Sequence, residues 1–77
     1  MIDVNDPPKE VTRWIKRFER LCKDAPPGIW VFVTGAVIVH ALDNDGHVVY
    51  ANGGGVDRAT AIAHVKTHAL SFDGGDY

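Results

Sequence analysis

The chain has 77 residues, of which 45% are hydrophobic and 23% charged, with a formal net charge of -2. At this length roughly 60% of the unfolded surface can be buried, which leaves room for one core and no second domain. A single cysteine, Cys22, excludes an internal disulfide framework and a multi-cysteine zinc site, so packing must hold the fold, and a reducing, cytoplasmic setting is expected.

Residues 1–6 hold two aspartates and an asparagine and read as a loose tail, without the basic-then-apolar order of a secretory signal. Asp6 is placed to cap a helix whose first turn takes Pro7 and Pro8, where a missing N–H is harmless. Val11, Trp14, Ile15, Phe18, Leu21 and Cys22 then recur at the spacing of one helical face, which predicts a helix over 7–23. Ala25, Pro26, Pro27 and Gly28 stop it, because proline restricts the residue before it.

Residues 29–34 and 36–42 are rich in β-branched and aromatic side chains, with Gly35 between them, so they form either a hairpin or one long bulged strand. Asp43, Asn44, Asp45 and Gly46 supply turn chemistry and residues 47–51 resume a strand pattern, so a hairpin across 43–46 is favoured. The apolar run 29–42 is interrupted by Thr34, Gly35 and His40 and is shorter than the roughly 20 residues of a bilayer span. Neither side of these strands is polar: Ile29, Val31 and Val33 alternate with Trp30, Phe32 and Thr34. If both helices lie on one side of the sheet, the other side is an apolar surface for self-association or a partner.

Asn52 to Gly55 is a glycine-rich link, and Asp57 is placed to cap a second helix over 57–70. That helix would carry Ala59, Ile62, Ala63, Val65, Ala69 and Leu70 on one face and Thr60, His64, Thr67, His68 and Ser71 on the other. A strand over 64–72 is the competing reading. Residues 73–77 read as a second loose tail. The expected fold class is α+β: a single domain over 1–77 in the order α-β-β(-β)-α, with a short antiparallel sheet and two helices.

Lys9, Arg13, Lys16, Arg20 and Lys23 are spaced 4, 3, 4, 3 along the first helix and line up opposite its apolar face, with Arg17 beside them. Residues 9–23 carry six positive and two negative charges, whereas residues 24–77 carry two and six, so the molecule is electrically two-sided. Like charges at these spacings each cost a few tenths of a kcal/mol. The stripe is therefore the candidate partner-binding face, for an acidic protein surface or for phosphates; the competing reading is an ordinary solvated face. Net charge and a pI of 6.0 weigh against a dedicated nucleic-acid domain.

Catalytic chemistry is not expected. His64 and His68 stand at i and i+4, but the glutamate of H-E-x-x-H is absent and a third ligand would have to come from His40, His47 or an aspartate, so no metal and no cofactor is expected. Gly53 to Gly55 lack the rest of a phosphate-loop motif, and Asp43 and Asp45 lack the later glutamate of a calcium loop. Cys22, on the apolar stripe, is expected to be buried and inert. No Ser-His-Asp spacing can be proposed.

Two short segments, GGGVD at 53–57 and DGGDY at 73–77, resemble pieces of short uncharacterised phage and prophage proteins. The resemblance implies a phage-encoded protein acting in the host cytoplasm by binding a host factor and blocking it, as anti-CRISPR proteins do. The expected function is thus a small non-enzymatic inhibitor that binds a host protein complex stoichiometrically. The alternatives are a nucleic-acid-binding accessory protein using the basic helix face, and a homodimeric structural module using the sheet. A membrane partner is not expected.

Overall fold

The computed structural model of the chain describes residues 1–72. One α-helix, α1 (Lys9–Lys23), is followed by a three-stranded antiparallel sheet in the order β1 (Ile29–Val33), β2 (Val37–Ala41) and β3 (Ala61–His64), with a 3₁₀ turn, Arg58–Thr60, leading into β3. The mixed α+β class is as expected, but its second helix is not there. The tail over 73–77, and with it the DGGDY segment, lies outside the described residues.

Helix α1 starts two residues later than expected. Pro8, in an extended conformation, precedes it without any side-chain cap, and its carbonyl accepts from the N–H groups of Val11 and Thr12. Asp6 does not cap the helix; its own N–H turns back to the Asp3 carbonyl at 3.2 Å. At the far end the Asp24 N–H reaches the Arg20 carbonyl at 2.9 Å, and Arg20 and Lys23 in the last turn complement the helix dipole.

Gly35 is the hairpin turn of the sheet. β1 and β2 pair from Ile29 with Ala41 to Val33 with Val37, and the Thr34 N–H closes the connection on the Ala36 carbonyl. The favoured hairpin across 43–46 does not form. Those residues do turn, with the Gly46 N–H on the Asp43 carbonyl and Gly46 at φ +79°, but residues 47–56 after them make only a single bridge, Tyr50 to Val56, around the glycines.

Residues 57–70 contain Thr60, Ile62, Val65 and Thr67, β-branched side chains that lose rotamer freedom in a helix. The outer edge of β2 meanwhile offers unpaired main-chain groups. Pairing with that edge wins: Ile38 faces His64, Val39 faces Ala63 and His40 faces Ala61, with Ile62 left as the extra residue of a bulge. The alternative of a late strand is nearer the outcome in type, but β3 ends at His64, where the expected strand over 64–72 would begin. Asp57 caps the 3₁₀ turn instead of a helix, its Oδ1 accepting from the Ala59 N–H at 2.9 Å.

Little of the chain is deeply buried. Val37 is the core's buried apolar residue among those described, and His40 its buried polar one. The packing runs between neighbouring strands, and α1 forms no comparable contact with any strand. The radius of gyration is 15.5 Å, where a compact chain of this size has about 11 Å.

Candidate functional site

All six cations of the proposed binding face, Lys9, Arg13, Lys16, Arg17, Arg20 and Lys23, are exposed on α1. Arg13, Lys16 and Arg17 share one open surface with Glu10. The opposite face of the helix is open as well: Trp14 and Ile15 are each 43% exposed, Phe18 44% and Leu21 70%. Trp14 and Phe18, one turn apart, stack with centroids 5.6 Å apart. The described neighbour of this stripe is Leu70, which shares a shallow groove with Val11, Trp14 and Arg17. Cys22 is exposed, contrary to expectation, because among the described residues no element closes over the stripe on which it sits.

A second constellation lies on the sheet. Directly paired residues of an antiparallel ladder project to the same side, so Trp30 and His40, Phe32 and Ile38, and then His64 and Ala61 share one face. Trp30 stacks on the His40 ring at 5.1 Å between centroids, and Phe32 sits edge-on to Trp30 at 5.6 Å. Trp30 Nε1 is buried there without a hydrogen-bond partner among the described residues.

His40, 5% exposed, is oriented by a chain of hydrogen bonds. The Thr60 hydroxyl donates to the Asp57 carbonyl at 2.7 Å, so its lone pair is what meets His40 Nδ1 at 2.9 Å. The network assigns the proton to Nδ1 and leaves Nε2 as the uncommitted ring nitrogen. His40 lines an open concavity of about 530 Å³ together with Phe32, Thr34, Val56, Arg58 and His64. The Arg58 guanidinium is the permanent donor of this lining, whereas His40 Nε2, unprotonated in that tautomer, is an acceptor. The lining residues include no carboxylate and no thiol.

The expected pair His64 and His68 does not share a helical face. His64 ends β3, while His68 sits in a turn with φ +55°. Among the described residues no group of three His, Cys, Asp or Glu side chains is placed to hold a metal ion. Gly54 and Gly55 both adopt positive φ and close a tight turn, with the Ala51 N–H on the Gly55 carbonyl. No helix among the described residues is long and apolar enough to cross a membrane.

Sequence reasoning named His40 only as a spare metal ligand and passed over Thr60 and Arg58. The signal was present: His40 is the one polar side chain in residues 36–42. Its partner could not be read, because it comes from a segment expected to be helical. In comparison with known proteins, no family model, curated protein or solved structure matches the chain.

Proposed function

We propose that the chain is a non-catalytic binding protein that docks α1 into an apolar groove rimmed by acidic residues on a partner protein. The observation that carries this reading is the uncovered apolar stripe of α1. An amphipathic helix owes most of its stability to burial of that stripe, and each large apolar side chain fully buried contributes about 1.5–3 kcal/mol. Here that stabilisation is left to be gained on binding, as in helix-in-groove recognition. The cations on the reverse side would meet the groove's acidic rim and steer the encounter.

Nucleic acid is the weaker reading, because a duplex contacts the basic stripe and leaves Trp14, Ile15, Phe18 and Leu21 in water. The arrangement fits a stoichiometric inhibitor of a larger assembly, the role implied by the resemblance to short phage proteins. The test compares the wild-type chain with two variants, Phe18→Asp and the triple reversal Arg13→Glu, Lys16→Glu, Arg20→Glu, in capture from host lysate and then against the purified partner. Both variants should lose binding while keeping the far-UV circular dichroism of the wild type. Wild-type affinity in both, or a preference for anionic vesicles or duplex DNA over any protein, would sink the reading.

A further inference from the structure

We propose that the open edge of β1 pairs with β1 of a second copy, antiparallel about a two-fold axis at Val31, joining two three-stranded sheets into one of six strands. The inference is independent of α1. It begins with the direction of the main-chain groups. The Leu42 N–H donates to the Gly28 carbonyl, and the Thr34 N–H to the Ala36 carbonyl, at the two ends of the β1–β2 ladder. Hydrogen-bonded and non-bonded pairs alternate between those ends, so Trp30 and Phe32 bond inward to β2 while Ile29, Val31 and Val33 direct their N–H and C=O groups outward. β1 stands at the end of the strand order, and these outward groups are a template for another strand.

Sheet edges are ordinarily guarded by charge, proline or a bulge. Residues 29–42 contain no Asp, Glu, Lys, Arg or Pro, and the bulge of this sheet lies on the other side, at Ile62. The edge is therefore neutral within a chain that is otherwise strongly polarised in charge, and a second copy meets it without like-charge repulsion. The edge is also self-complementary. With Val31 opposite Val31 of the second copy, Ile29 faces Val33 and β-branched side chains meet on one face; on the other, Trp30 faces Phe32, an aromatic cross-strand pair. Val31 and Val33, the outward residues at the centre and end, are 49% and 39% exposed.

The edge of β3 is the poorer choice, being four residues long, bulged and ended by His64.

Sedimentation of the full chain over a range of concentrations should give twice the 8.4 kDa monomer mass. Val31→Pro removes an N–H that points away from β2, so it should leave the β1–β2 hairpin intact and yield a monomer. Val31→Lys, which sets two like charges face to face on the axis, should do the same. In a Cys22→Ser background, Val31→Cys should form an intermolecular disulfide on mild oxidation, because a hydrogen-bonded antiparallel pair holds its Cα atoms about 5.5 Å apart. A wild-type monomer at every concentration would overturn the proposal. So would a dimer that survives both Val31→Pro and Val31→Lys, or one lost only with Phe18→Asp, which would place the contact on α1.

Discussion

His40 and Thr60, twenty residues apart, are joined by a 2.9 Å hydrogen bond that ties β2 to the turn before β3. His40 is almost fully buried, and its Nδ1 has this one partner among the described residues. Thr60→Val keeps the shape of the side chain but leaves the buried imidazole unsatisfied, which costs about 1–3 kcal/mol. Urea unfolding should show a lower midpoint for Thr60→Val and a nearly wild-type one for Thr60→Ser. Equal midpoints for Thr60→Val and the wild type would mean that the bond does not organise the sheet.

The same relationship shows where the sequence is readable and where it is not. α1 was legible in outline because Val11 to Cys22 repeat at a single period, and the Gly35 hairpin was legible as one of two options because β-branched runs flank a lone glycine. β3 was not. Ile62, Ala63 and Ala69 satisfy a helical wheel as well as any strand pattern, and what decides for the strand is the free edge of β2, a tertiary fact. Losing the helix removed the expected His64 and His68 pair and brought Arg58, Thr60 and His64 toward His40 instead. The basic stripe could be read in full, since its residues lie on one helix.

The exposed stripe predicts that α1 contributes little to the stability of the sheet. Phe18→Ala at a core position would cost about 3–5 kcal/mol. At 44% exposure, and without a strand packed against it, the change should cost about 1 kcal/mol or less when unfolding is followed through the β-sheet amides by hydrogen exchange. A loss of sheet protection on the scale of a core truncation would show that α1 covers the sheet in solution.

Zinc titration should give only weak binding. His64 and His68 lie on different local structures, and the other imidazole on the face of His64 is His40, which is almost fully buried, while Arg58 adds a positive charge to the same concavity. A closed tetrahedral site needs four ligands. Isothermal calorimetry should therefore find no submicromolar zinc affinity, and His64→Ala should change the isotherm little. Tight binding lost on that substitution would establish a metal site after all.

The last prediction concerns pH and the turn after β2. Asp43 Oδ1 accepts from the His47 N–H at 2.8 Å and from the Asp45 N–H at 2.9 Å. The His47 N–H foremost, and then the Asp45 N–H, favour the ionised carboxylate and hold its pKa below the usual 3.8, although desolvation, the second-largest effect, opposes them. A group whose folded pKa is depressed contributes its stabilisation above the unfolded value and loses it as pH falls through the folded one. The turn should therefore be intact at neutral pH and at pH 4, and loosen only below 3.8. In ¹H–¹⁵N spectra the amides of Asp45 and His47 should shift together with a midpoint below 3.8. Asp43→Asn retains an oxygen acceptor without the titrating proton, so it should preserve the turn and abolish this acid transition. A midpoint at or above 3.8, or an acid transition that persists in Asp43→Asn, would show that these two hydrogen bonds do not hold the turn in solution.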